Sequence, residues 1–463
     1  MPTRNVARPA LRAIVSVTLA AAALGLPAGA MAQTAKEQEL EARVAELEKM
    51  VQQLLAEKKA APAPAAAPAA APAKPAGPSI QAGSITPNAA PNTSFVLTGF
   101  AKADALFTDT EHADVPAGAG RDFYVPGATP VSGDAEDVDF HAHVKQTRIN
   151  FGTDTILEGG DKLSTRFEVD FFGSITGNER VSNTYSPVLR HAYVTWRSWL
   201  VGQTWSNLMD PATLPEAVDF IGTTDGTTFV RQPQLRFTKG GLSLSLENPE
   251  TTLSGYRVAT PAAPITADDA GWPDLTARYA FKGAWGHVAV AGLLRELKYQ
   301  TTSASLATTG VNVPIDDSTW TGTLSASGKF IFGKDDLRWM ALYGNLGRYV
   351  ALNFANDAIL DSSGNLESID GWAGFVAYRH MWSNQWRSTL TYAMQEYDND
   401  ADLSLTTNAG SPNKSSWSAT ANLFYSPVPK LDIGAEYRYA VRELENRTDG
   451  DLGRLQFTTK YSF

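Results

Sequence analysis

The sequence predicts an all-β chain: about sixteen antiparallel strands closed into a transmembrane β-barrel, preceded by a short N-terminal coiled-coil helix and an Ala/Pro linker. Three observations carry that expectation. From Thr93 onward, runs of alternating residues are separated by connections that are short and long in turn. Tryptophans gather at the ends of the runs. Trp272, Trp320, Trp372 and Trp417 lie toward the long connections, and Trp199, Trp285, Trp382 and Trp386 toward the short ones, as two interfacial girdles require. The final run, DLGRLQFTTKYSF, places Leu455, Phe457, Thr459, Tyr461 and Phe463 on one face and Arg454, Gln456, Thr458, Lys460 and Ser462 on the other.

The elements follow in order. Arg4, Arg8 and Arg12 precede an apolar run from Ala13 to Leu26, then Pro27 and the A-x-A site Ala30-Met31-Ala32. This is the grammar of a secretory signal, so residues 1–32 read as a signal peptide. The apolar run is short of the roughly 20 residues that a spanning helix needs. Residues 33–59 read as a periplasmic coiled coil, with Leu40, Val44, Leu47, Val51 and Leu54 at alternating spacings of four and three. Val at a with Leu at d leans toward dimers, and so short a helix is marginal alone. Residues 60–92 form an Ala/Pro-rich linker, too dense in proline for helix or ladder.

The barrel takes residues 93–463. Its strands fall near 94–107, 141–153, 162–172, 188–197, 199–206, 228–238, 241–248, 272–281, 285–297, 317–331, 336–347, 370–380, 385–397, 415–426, 430–442 and 452–463. A large secreted sandwich or β-solenoid shares the alternation, but the paired aromatic girdles belong to a membrane barrel.

Composition excludes other classes. With no cysteine there is no disulfide, thiolate nucleophile or Cys-based zinc site. The formal charge of −10 argues against nucleic acid. Neither a G-x-S-x-G nucleophile elbow nor a phosphate loop is present. His141-Ala142-His143 offers two ligands on one strand face but no recognisable third, so neither metal nor cofactor is expected.

If the apolar face of each ribbon meets lipid, the other face lines a lumen. Residues on that face number roughly fourteen basic to seven acidic, in a chain that is acidic overall. Candidate pore-lining residues are Arg148, Arg166, Arg190, Arg236, Arg278, Arg338, Arg379, Arg387 and Arg438. Arginine keeps its charge at any relevant pH, and a narrow low-dielectric passage concentrates its field on anions. About half of these guanidinium groups should merely balance neighbouring carboxylates, as Arg166 beside Glu168 and Asp170 would. The connection 207–227 is unusually apolar, with Leu208, Met209, Leu214, Val218, Phe220 and Ile221. It either folds inward as a constriction or meets a neighbouring barrel.

Several stretches carry a family resemblance: FVLTGFAKADALF, NERVSNTYSPVLRHAYVTWRSWLVGQTWSNLMD, LPEAVDFIG, FVRQPQLRFT, LSLSLENPET, LYGNLGRY and the closing strand. They resemble the DcaP-like trimeric outer-membrane porins over most of 36–463. The resemblance implies a sixteen-stranded barrel, a homotrimer bundled by periplasmic helices, outer-membrane lipid around it, and uptake of dicarboxylates and related small anions. It also adds Arg231 to the pore-lining set, although the parity of Arg231 differs from that of Arg236 and Pro233 can reset the register. Two alternatives stay open: a general diffusion porin with mutually screened arginines, and a structural tether between outer membrane and cell wall with little conductance.

Overall fold

The computed structural model describes Lys49 and residues 92–463 apart from 135–136, 174–176, 179–181, 259–263 and 401–410. The signal peptide, the coiled coil save Lys49, and the linker lie outside the described residues.

Alternation fixes the rest. Sixteen strands run up and down: β1 Thr93–Thr110, β2 in two pieces (Asp139–His143 and Arg148–Ile156), β3 Lys162–Asp170, β4 Val188–Trp196 and β5 Trp199–Trp205. Then come β6 Arg231–Lys239, β7 Leu242–Glu247, β8 Asp274–Gly283, β9 Gly286–Gln300, β10 Asp316–Phe332 and β11 Asp335–Gly344. Last are β12 Asp370–Met381, β13 Trp386–Asp398, β14 Asn413–Tyr425, β15 Leu431–Leu444 and β16 Asp449–Ser462. The barrel closes where β1 pairs antiparallel with β16, from Phe100↔Ser462 to Thr110↔Leu452. Both pieces of β2 pair with β1, leaving a break at 144–147. There the hydroxyl of Thr147 accepts from the Lys102 backbone N–H at 3.2 Å and donates to its carbonyl at 3.3 Å, so the ladder groups freed by the break are satisfied.

Short connections collect at one rim. The links 197–198, 240–241, 284–285 and 333–334 are two residues long, and Gly240 (φ 62°) and Gly333 (φ 64°) supply the left-handed conformation that such hairpins need. The other rim carries long loops, the third of which is 206–230; only 445–448 is tight. The outer wall is apolar, with Phe95, Leu97, Val290, Leu324 and Leu390 exposed. Trp199, Trp285, Trp382 and Trp386 are exposed near the short turns, and Trp272, Trp320 and Trp372 near the long loops.

The inner face departs from the expected uniform charge. The sixth loop, 345–369, turns inward and packs Tyr349, Val350 and Phe354 against Ala291 and Leu293 of β9, Met340 and Leu342 of β11, and Phe375 of β12. An inward-folded loop with apolar side chains needs an apolar wall to bury them, so these strands carry small or apolar residues on both faces. A four-stranded sheet of loop segments (Thr251–Ser254, Ile265–Ala267, Ala358–Leu360 and Leu366–Ser368) forms beside this packing. The interior therefore has one apolar, filled sector and one charged sector.

Candidate pore

The charged sector is organised by the third loop. Of the two placements open for 207–227, the structure shows the inward one: the segment passes along the inner face of the wall and is held at each step. Arg278 of β8 pairs with Asp210 at 2.9 Å and donates to the Met209 carbonyl at 3.0 Å. His287 of β9 and Ser327 of β10 also reach Asp210, each at 2.9 Å. Arg338 of β11 donates to the Leu214 carbonyl. Arg387 of β13 donates to both carboxylate oxygens of Glu216 at 2.8 Å, with Arg379 of β12 at 4.0 Å. Further along, the ammonium of Lys102 donates to Asp104, Gln146 and the Val218 carbonyl, while the Val218 N–H donates to Glu436 of β15 at 2.9 Å. Arg438 reaches Asp219 at 3.7 Å and donates to the Gly222 carbonyl. Gly226 lies so close to the wall that a Cβ there would sit 2.3 Å from the Gly374 carbonyl oxygen.

Most of the ten arginines singled out by sequence thus have carboxylate partners. Arg148 pairs with Glu168 at 3.1 Å and Asp170 at 2.7 Å, and Arg190 with Asp170 at 2.6 Å. The partner of Arg166 is Asp154 at 3.0 Å, rather than its strand neighbours Glu168 and Asp170. Asp336 holds both Arg338 and Arg379 at 2.6 Å. Arg278, Arg387 and Arg438 are paired as above. Glu436 is the second partner of Arg438, at 3.6 Å. Two of the ten pair with no described carboxylate. Arg236 donates to the Gln234 side chain at 2.9 Å and to the Trp205 carbonyl. Arg231 stacks on Trp205 with its guanidinium carbon 3.6 Å from the ring centroid, and its buried Nε has no hydrogen-bond partner among the described residues.

Two local irregularities bring these groups together. In β4 the pairing jumps from Glu168↔His191 to Val169↔Leu189, so Arg190 is the extra residue of a β-bulge. The bulge lets Arg190 and His191 both reach inward partners, Asp170 and Thr204. Phe220 of the third loop then lies against the guanidinium groups of Arg148 and Arg190, at 5.6 and 5.8 Å.

Sequence reasoning missed the carboxylates of the third loop, Asp210, Glu216, Asp219 and Asp225. Their signal was present, but the segment was weighed by its apolar residues alone. It also passed over Arg295, which is fully buried between Asp357 at 2.8 Å and Asp274 at 3.6 Å. Two further inner-face arginines pair with no described carboxylate. Arg442 donates to Asn413 and the Thr129 carbonyl; Arg454 donates to Thr108 and the Gly120 carbonyl.

His141 and His143 do gain a third group, Asp122 of the first loop, with the three ligand atoms within 4.8 Å of one another. The ammonium of Lys145 already lies 2.7 and 2.9 Å from the two Asp122 oxygens, and His141 donates to the same carboxylate. A cation's place is therefore filled by a side chain, and the cluster reads as a clasp for the first loop. Burial works against ionisation of Asp122, but His141 and Lys145 outweigh it and hold the carboxyl below the usual range.

Known proteins place this architecture. The outer membrane channel DcaP of Acinetobacter baumannii superposes with a TM-score of 0.63 at 24% identity, covering 80% of this chain and 98% of that one. Two others are more distant. A loop-deletion mutant of OmpT, an outer membrane protein of Vibrio cholerae, matches with a TM-score of 0.46 at 12% identity over 80% of this chain and 100% of that one. Salmonella typhi OmpF in complex with daunomycin gives 0.47 at 13% over 80% and 98%. No curated protein matches. The family model described as DcaP outer membrane protein matches residues 139–463, and the chain belongs to that family.

Proposed function

We propose that the protein is a passive outer-membrane channel that favours small anions such as dicarboxylates, acts as a homotrimer bundled by its N-terminal helices, and uses no cofactor. The observation that carries the anion preference is the pair Arg236 and Arg442, part-exposed on the inner face, whose guanidinium groups hold only neutral acceptors among the described residues. Neutral acceptors satisfy donors without cancelling charge, so these groups leave net positive potential along a water-filled passage with low-dielectric walls. A dicarboxylate meets such forks with bidentate hydrogen bonds. Arg278, Arg338, Arg387 and Arg438 act as anchors of the third loop instead, setting the shape of the passage rather than its sign. The pore-lining role of Arg231 rests on its stacked, carboxylate-free guanidinium at the start of β6.

Swelling of liposomes loaded with a large impermeant solute tests the reading. Succinate should enter faster than a diamine of similar size, and Arg236→Glu should narrow the gap. Equal rates for the two solutes in the wild type would overturn it. That outcome would support the second reading, a general diffusion porin, which the extensive pairing of the other arginines favours.

A further inference from the structure

Three neighbouring strands bring basic residues together on the inner face at the short-turn rim. Lys329 of β10 stands directly opposite Arg338 of β11, and Arg379 of β12 stands opposite Asp336 of β11. Like charges opposite each other across a ladder are unfavourable unless an acid offsets them. The buried carboxylate of Asp336 takes Arg338 and Arg379 at 2.6 Å each and Lys329 at 3.5 Å. Three cations therefore converge on one acid. They are not equally occupied. Arg338 donates to both oxygens of Asp336 and to the Leu214 carbonyl, so its guanidinium is fully engaged. The Lys329 ammonium, at 3.5 Å, is beyond good hydrogen-bond length. The buried Nε of Arg379 has no hydrogen-bond partner among the described residues. Lys329 and Arg379 both reach the same oxygen of Asp336, with side chains 25% and 26% exposed. Two positive groups thus stand side by side, open to water and with donors to spare.

The next acids along the wall do not restore the balance. Glu216 lies 4.0 Å from Arg379 but is gripped by Arg387, which shares Asp432 with Lys460. From Lys329 round to Lys460, five cations meet three carboxylates. All five lie within three residues of the short-turn ends of their strands.

We propose that Lys329 and Arg379, over Asp336, form a binding site for a phosphate group at the short-turn mouth of the passage, carried by free phosphate or by a small phosphate monoester. The inference rests on the anion reading above and adds a second class of solute to it. A phosphate head carries about two negative charges on one tetrahedral centre, and the three cations on Asp336 leave an excess of two in one place. A dicarboxylate divides the same charge between two ends. Lys329 meets a phosphate as a point charge, and Arg379 offers the N–H that its neighbours leave unbonded. Because both side chains stay partly in water, the anion is held loosely enough to leave.

Block of single-channel chloride current tests the site, at about pH 8, where a phosphate head is a dianion. Inorganic phosphate should halve the current at a concentration several-fold lower than succinate does. Lys329→Gln with Arg379→Gln should raise the half-blocking concentration of phosphate about tenfold, as the loss of one charge-assisted hydrogen bond gives, and move that of succinate much less. Heat-modifiable gel mobility reports that the variant is a folded barrel; should it not assemble, Lys329→Gln alone should shift phosphate block the same way by a smaller factor. Glycerol 3-phosphate separates the two sources. Block matching that of phosphate assigns the site to a monoester head as well, and block no better than that of succinate assigns it to the free ion. Equal block by phosphate and succinate in the wild type would overturn the proposal, as would phosphate block unchanged in the variants. A chloride-selective reversal potential beside either of those results leaves the anion reading standing, whereas a potassium-selective one overturns both.

Discussion

Arg387 grips both carboxylate oxygens of Glu216 at 2.8 Å, tying the base of β13 to the midpoint of the third loop. Arg387 also meets Asp432 at 2.9 Å, and Arg379 stands 4.0 Å from Glu216. One loop carboxylate therefore holds the segment down and offsets two guanidinium groups. Replacing Glu216 with Gln should remove about 1.5–3 kcal/mol of loop anchoring, the range for hydrogen bonds to charged groups. The released charge should raise anion preference while current noise increases. Planar-bilayer recording reads both effects, and unchanged selectivity would contradict the offsetting role of Glu216.

Arg295 is fully buried, and its partners Asp357 and Asp274 come from the sixth loop and β8. Arg295→Met should cost about 3–5 kcal/mol, because removing one member of a buried pair strands the other charges. The temperature of heat-modified gel mobility should fall, and the loop segments 248–273 and 345–369 should become protease-sensitive. Wild-type protease resistance in the variant would show that the loops are held by their apolar contacts alone.

The clasp on the first loop has a pH signature. The carboxyl of Asp122 titrates below its usual range in the folded protein, so its contribution is complete above the unfolded value of about 4 and is lost as pH falls through the lower folded value. The part of first-loop stability that Asp122 supplies should decline as pH falls below about 4. Asp122→Asn should remove that decline and raise amide exchange of residues 119–124 at neutral pH by tenfold or more. Identical exchange in the variant and the wild type would mean the histidines and Lys145 hold the loop without the carboxylate.

On the proposal that the heptads of 36–59 bundle a homotrimer, they serve assembly and not the barrel. Deleting them should loosen the homotrimer and leave a heat-modifiable barrel of normal strand content. Loss of barrel folding would contradict the division between stalk and barrel.

Strand number and strand positions were legible because a half-lipid, half-water ribbon writes its two faces into odd and even residues, as Leu455 to Phe463 do. Both tryptophan girdles were legible for the same reason. The interior was not, because it depends on which loops fold inward. The apolar residues of 207–227 announced burial but not its location. The partners of Glu216 lie more than 160 residues away in sequence, at Arg379 and Arg387, and no local pattern links them. Parity also failed locally where β4 inserts Arg190, since a bulge is a tertiary feature that periodicity does not encode. The apolar inner faces of β9 and β11–β13 make sense only once Tyr349 and Phe354 are seen against them.

The central claim is that unmatched guanidinium on the inner face biases a passive pore toward anions, and a reversal potential across a salt gradient measures that bias directly. With potassium chloride tenfold higher on one side, the wild type should reverse at the sign set by chloride. Arg236→Glu should shift the value toward zero or past it, by more than Arg379→Glu, whose guanidinium is already held by Asp336 at 2.6 Å. A wild-type reversal of the sign set by potassium, or no shift in the Arg236 variant, would contradict the claim.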